Sequence, residues 1–161
     1  MPNDYIAIAA QEHSLTEKNN LHNDLITIQS RLQDINSHIA FPRKTIIIND
    51  QLKEMFEKTK FNPNNIDILE QKIDTYMNHL PPLHNFVLPG GGHCAASLHI
   101  CRSVCRRVER EMVNFYLNMD VDKSVFRYVN RLSDYFFAAA RYATHKNKRI
   151  DVIYKPDKNW N

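Results

Sequence analysis

The 161-residue chain has only three glycines, and they are adjacent: Gly90, Gly91 and Gly92. Sheet-rich folds spend glycine at their turns, so this scarcity argues against them and for a helical protein. Cysteine is sparse as well. Cys94, Cys101 and Cys105 are odd in number and crowded together, which argues against a disulfide framework and for a reducing compartment. No run of about 18 apolar residues occurs, so nothing reads as a membrane span. The opening M-P-N-D-Y-I-A has neither the basic nor the apolar region of a secretory signal. Charge of one sign is not in excess either: 21 Lys and Arg against 18 Asp and Glu leave +3. That balance does not demand nucleic acid, although a local basic patch could hold an anion. What remains is one domain over residues 1–161, long enough for a real core and expected in the cytoplasm.

The apolar pattern is helical. A short helix is expected from Asn3 to about Glu12. Ser14-Leu-Thr-Glu17 has the form of a capping box that opens a second helix. In that helix Leu21, Leu25, Ile28, Leu32, Ile35 and Ile39 repeat at spacings of four and three until Pro42. Residues 43–64 are irregular, with Ile46, Ile47 and Ile48 a short extended piece and Gln51–Lys58 one or two helical turns. Ile66, Leu69, Ile73, Tyr76 and Leu80 form the next seam, stopped by Pro81-Pro82. Leu98, Cys101, Cys105, Val108, Met112 and Phe115 define a long helix after the glycines. Val125, Val129, Leu132, Phe136, Ala139 and Ala143 define the last one, with Asp122 as its N-cap and an irregular tail over 151–161. The fold class is therefore all-α: four long helices plus a short N-terminal one, packed as a bundle.

The densest chemistry lies between Phe86 and Arg110. An extended apolar piece turns through the glycines into a helix bearing Arg102, Arg106, Arg107, Glu109 and Arg110. A glycine turn opening a helix can offer N–H donors to an anion, and arginines suit phosphate. At about 100° per residue, Arg102, Arg106 and Glu109 share one stripe on the flank of the apolar seam, widened by Arg110. On the last helix Asn130, Asp134, Phe137 and Arg141 share the face opposite the seam, and Tyr128, Tyr135 and Tyr142 form a third stripe. A helix with aromatic groups on nearly every side is seldom solvated all round, so a second subunit is expected against it. Each pattern also has a plain structural reading: surface ion pairs, or hydrogen-bonding groups at a junction. His93, Cys94, His99, Cys101 and Cys105 lack the spacings of a zinc site. Cys105 sits on the apolar seam, where a thiol is inert. The acids beside C-R-R-V-E-R argue against a nucleic-acid helix.

Three stretches carry a resemblance: L-P-P-L-H-N-F-V-L-P-G-G-G, then L-H-I-C-R-S-V-C-R-R-V-E-R, then Y-V-N-R-L-S-D-Y-F-F-A-A-A-R-Y-A. With I-Q-S-R-L-Q-D-I-N-S-H-I-A at residues 28–40, they resemble the ATP:cob(I)alamin adenosyltransferases of the propanediol-utilisation type over about residues 3–155. The resemblance implies a helical bundle that assembles as a homotrimer with an active site at each subunit junction. It implies transfer of the 5′-deoxyadenosyl group of ATP to reduced cobalamin with release of triphosphate, and Mg²⁺ accompanying ATP rather than a metal held by protein alone. Arg106, Arg107, Glu109 and Arg110 resemble the family's ATP-contacting stretch, with Arg106 and Glu109 closest to the chemistry. Asn130 resembles its nucleotide-binding asparagine, and Phe86 the aromatic that displaces the lower ligand of cobalamin. Arg102, Arg131 and Asp134 resemble intersubunit or supporting residues. Implied partners are a cobalamin reductase or an adenosylcobalamin-dependent enzyme, in a cytoplasm or a mitochondrial matrix.

One family element is not found between Met1 and Asn161, the T-G-D-x-G-x-T phosphate segment, whose place is before the first helix. On the sequence alone, these residues are expected to form the trimer yet bind Mg·ATP weakly. The alternative is a non-catalytic trimer that binds the corrinoid.

Overall fold

The structure, a computed structural model, describes residues 2–41, 43–44, 49–118 and 120–157, with side chains from Ile8 onward. Ile46, Ile47 and Ile48, whose extended conformation the sequence suggested, lie outside the described residues, as do Pro42 and Trp160. Six helices follow one another: α1 (Pro2–Glu17), α2 (His22–Ala40), α3 (Asp50–Lys58), α4 (Asn64–Met77), α5 (His93–Leu117) and α6 (Lys123–Lys146). The all-α bundle is as expected, although α1 is a full 16 residues and not a short leader.

The capping box is the reason. Ser14 and Glu17 do not open α2; they close α1. Lys18 and Asn20 take positive φ of 52° and 66°, and buried Ser14 donates to Asn19 Oδ1 at 2.5 Å while accepting the Leu21 N–H at 3.1 Å. The motif's chemistry, a hydroxyl meeting orphan backbone groups, is used at the helix exit instead of its entrance.

α6 is the central element. α5 runs antiparallel to it, with Cys105 opposite Val129 and Tyr116 stacked on Phe126 at 4.8 Å. α4 runs parallel to it on another side, since Phe61, just before α4, meets Tyr128, and Tyr76 near its end meets Tyr135 and Tyr142. α1 packs on α5 and on α2. The tyrosine stripe of α6 is therefore covered by α4 of the same chain. Arg141, expected on a face turned to another subunit, is instead buried against the chain's own tail, its Nε 2.8 Å from Asp151 Oδ2.

Leu80 lies past the end of α4 at Met77, and two further seam residues fall elsewhere than the periodicity suggests. Ile39 is 36% exposed whereas His38 is fully buried, so α2 ends its buried stripe on a histidine. Phe115 is 51% exposed because α5 outruns the first turn of α6 and only Tyr116 finds a ring to stack on. His38 ties the bundle's end together: Nδ1 lies 2.9 Å from Thr59 O, and Nε2 accepts the Asp122 N–H at 3.0 Å. Asp122 stands at the N-cap position with extended φ and ψ, but its side chain makes no capping bond. Arg43 Nη2 also lies 2.6 Å from Nδ1, and burial, aided by this guanidinium, holds the ring's pKa below the ordinary 6.5. His99, buried beside Arg102, is lowered for the same first reason.

A base whose folded pKa is depressed binds more protons when unfolded, so its contribution to stability is complete above about pH 6.5 and is lost as pH falls through that value. Unfolding free energy is expected to fall between pH 7 and 5, each histidine contributing a slope of at most about 1.4 kcal/mol per pH unit. Urea melts across that range check it. A flat profile, or one unchanged by His38→Gln, refutes the assignment.

Candidate active site

α5 and α6 bring Arg102, Arg106, Glu109, Arg110 and Asn130, though not the other sequence-predicted residues, to one flank of the bundle. Glu109 and Asn130 meet across the two helices, Asn130 Nδ2 donating to Glu109 Oε1 at 2.7 Å. This fixes the carboxylate and leaves Oε2 of Glu109 for another partner. Arg102 lies over the ring of Phe137, its guanidinium carbon 5.3 Å from the centroid, so cation–π contact steers it along the same flank. Arg106 is exposed one turn further, and Arg110 donates to the Arg106 carbonyl at 3.2 Å. Arg107 stands apart from this group, facing Glu111 at 3.9 Å on the outer side of α5. Arg131 bonds Asp134 at 3.0 Å and also Glu70 on α4 at 3.0 Å, which makes this trio a brace between helices. The Asp134 bond is the first cause of its raised pKa.

A groove of about 410 Å³ runs between α4 and α6, bounded by Glu70, Asp74, Arg131, Asp134 and Phe137. Three carboxylates against one guanidinium make it a poor host for a polyphosphate. The cationic flank of α5 is the better one.

The glycine turn does not behave as an open anion cradle. Gly92 is the N-cap of α5, and the Cys94 N–H that such a turn would present is bonded by Glu17 Oε1 at 3.3 Å. Glu17 Oε2 accepts from Asn147 at 2.5 Å. An internal carboxylate thus caps the helix from 77 residues away in sequence, a distance no local motif could signal.

Phe86 is 83% exposed, so it is not a core aromatic. It is held nonetheless: residues 86–88 pair antiparallel with the tail, Leu88 N–H donating to Val152 O and Tyr154 N–H to Phe86 O, both at 2.8 Å. The tail expected to be irregular supplies this short ladder. The run of β-branched and aromatic residues in Val152-Ile153-Tyr154 is the signal that could have found it. The thiols take no part. Burial pushes Cys105 and Cys101 up to about 12 and Cys94 up to about 11. Cys105 Sγ donates to Val129 O and Cys94 Sγ to Ala10 O.

The fold and the site define an all-α bundle with a cationic helix flank, a carboxylate–amide pair beside it and an exposed, backbone-anchored aromatic. The chain belongs to the cobalamin adenosyltransferase family, whose profile it matches over residues 3–143. It is 39% identical over 150 residues to the mouse corrinoid adenosyltransferase MMAB, covering 92% of this chain and 61% of that one. It is 38% identical over 132 residues to the corrinoid adenosyltransferase of Bacillus subtilis, covering 82% of this chain and 63% of that one. It thus spans about three fifths of the length of these curated relatives. Among solved structures, it resembles a phenylalanine-to-alanine variant of a PduO-type ATP:corrinoid adenosyltransferase from Lactobacillus reuteri, complexed with cobalamin and ATP. The TM-score is 0.78 at 31% identity, covering 96% of this chain and 82% of that one.

Proposed function

We propose that this chain forms the helical body of an adenosyltransferase that moves the 5′-deoxyadenosyl group of ATP to a reduced corrinoid. The observation that carries the reading is the Glu109–Asn130 pair set among Arg102, Arg106 and Arg110. In the reaction, the electron pair of reduced cobalt attacks the ribose C5′, the C5′–O bond breaks, and triphosphate leaves with that bonding pair. The substrate is the nucleophile, which suits a site whose thiols donate to backbone carbonyls. The protein's work is to orient ATP and stabilise charge growing on the leaving oxygens. Arg106, with Arg110 beside it, holds the triphosphate; Asn130 faces the ribose or base with its remaining amide capacity; Glu109 orients them. Arg107, turned outward, has the weakest claim to a phosphate.

Magnesium fits this arrangement as a passenger of ATP. Among the described residues no three His, Cys, Asp or Glu gather to form a cage, and Glu109 offers one carboxylate oxygen, a donor Mg²⁺ accepts alongside phosphates and water. No helix of the described residues is long and apolar enough to cross a membrane. The buried, reduced thiols suit a cytoplasm or a mitochondrial matrix. A homotrimer, with a neighbour covering the flank of α5, would exclude water from the site and strengthen each contact there.

Arg106→Ala tests the nucleotide site. A charge-assisted contact is worth about 1.5–3 kcal/mol, so kcat/KM for ATP should fall roughly tenfold to a hundredfold while corrinoid affinity holds. Unchanged ATP kinetics removes Arg106 from the site. Phe86→Ala tests the corrinoid side: ATP binding should persist, and the spectral signature of four-coordinate cobalt(II) should vanish. Persistence of that species in the variant denies Phe86 the role.

A further inference from the structure

On the other side of the segment that carries Phe86 lies a cavity of about 270 Å³. Alternate residues of an extended chain face opposite ways. Val87 and Ile153, the bridged pair, line this cavity, whereas Phe86 and Leu88 beside Val87 do not. Ile150 and Leu83 extend the apolar wall. The polar side is built on Arg141, which is only 2% exposed. Its Nε donates to Asp151 and its Nη2 to the Pro81 carbonyl at 3.0 Å, but its buried Nη1 has no acceptor among the described residues. A buried guanidinium donor without an acceptor is rare and calls for an explanation. Asp151 offsets the charge of Arg141, whereas Arg149, also on the wall, has no ion pair within 4 Å among the described residues, although its Nη1 and Glu17 Oε1 both approach Gly92.

We propose that this cavity binds a small aliphatic monocarboxylate, whose carboxylate takes the spare Arg141 donor and pairs with Arg149 while its chain rests on Val87, Ile150 and Ile153. Ligand pockets usually run from 300 to 1,000 Å³, so the cavity suits a chain on the order of four to six carbons. A bound acid touches both partners of the 86–88 and 152–154 pairing and clamps it from behind. The site is separate from the arginine flank of α5, and the binding itself does not depend on the adenosyl-transfer reading.

The test is a titration of the 161-residue protein with sodium butyrate at constant ionic strength, followed by NMR, with butyramide and n-butylammonium as controls. Saturable shifts are expected at Val87, Ile150 and Ile153, with slower exchange of the Leu88 and Tyr154 amides. Butyramide should bind at least roughly tenfold more weakly, the difference between a charged and a neutral acceptor. Arg149→Gln, at an exposed position that leaves the fold intact, should weaken butyrate roughly threefold. Arg141→Lys, which keeps the charge but loses the fork, should weaken it further. The proposal fails if no saturable shift occurs, if butylammonium binds as well, if the shifts fall on the α5 arginines, or if amide exchange at Leu88 and Tyr154 stays the same.

Discussion

Asp151→Ala is expected to cost about 3–5 kcal/mol of unfolding free energy, because it strands a buried guanidinium without its carboxylate. Arg141 is 2% exposed and already carries one nitrogen with no acceptor, so loss of Asp151 leaves it only the Pro81 carbonyl. The damage should begin locally. Asp151 lies next to the tail residues that pair with 86–88, so the Leu88 and Tyr154 amides should lose protection before those of α5 or α6. The double variant Arg141→Met/Asp151→Leu is the discriminating control. Exchanging a buried ion pair for apolar groups of similar volume is often neutral, whereas removing one partner is not. Urea melts of both proteins check it. A double variant no more stable than Asp151→Ala alone shows that the cost comes from lost packing and not from the unpaired charge.

The helices were legible where one face alone decides. The seam of α6 stands in the structure as the spacings predict, and that of α4 does as far as Tyr76, since a four-three stripe has few other ways to be buried. The errors have local causes. Residues 38 and 39 both follow Ile35 at helical spacing, and apolarity favours Ile39. The bundle selects His38 because Thr59 and the Asp122 amide are waiting there, partners 21 and 84 residues away in sequence. Ser14 and Glu17 fit a helix start by residue type, but a capping box does not say at which end its hydrogen bonds will be spent.

The candidate site was legible by stripe and not by contact. Helical geometry could put Arg102, Arg106 and Glu109 together, and it could put Asn130 on a separate face of α6. That Asn130 and Glu109 touch depends on the rotation of α6 against α5, which no single-helix pattern specifies. Arg141 failed for the same reason. A charged residue opposite an apolar seam reads as solvent or partner, and only the fold of the tail brings Asp151 to it. Arg131, expected as an intersubunit or supporting residue, bonds Glu70, which lies 61 residues back in sequence and could not be signalled by the α6 pattern.

Gly91→Ala should be among the most damaging single-methyl additions in the chain. Gly91 has φ +88°, a region in which a side chain costs about 1–3 kcal/mol. An ideal Cβ there would also sit 1.9 Å from Thr144 Oγ1, 2.7 Å from Thr144 Cβ and 2.8 Å from Thr144 Cγ2. Thr144 is 4% exposed, its hydroxyl donates to Ala140 O at 2.9 Å, and its Cβ is fixed to the backbone of α6, so only the tip of the side chain can turn aside. Overpacking adds about 1–3 kcal/mol, giving roughly 2–6 kcal/mol in all. Relief could come only from shifting the loop, which would pull Gly92 and the start of α5 away from Glu17. Gly90→Ala is the control, with nothing within 4 Å of its added carbon, and it should be neutral within about 0.5 kcal/mol. Thr144→Ala in the Gly91→Ala background should give little rescue, because alanine keeps the Cβ that lies 2.7 Å away. Thr144→Gly removes that atom and should recover more at this position, despite glycine's own cost of about 1 kcal/mol in a helix. Urea melts of the four variants decide it: a Gly91→Ala protein that unfolds at the wild-type midpoint shows that α5 does not enter the bundle against Thr144.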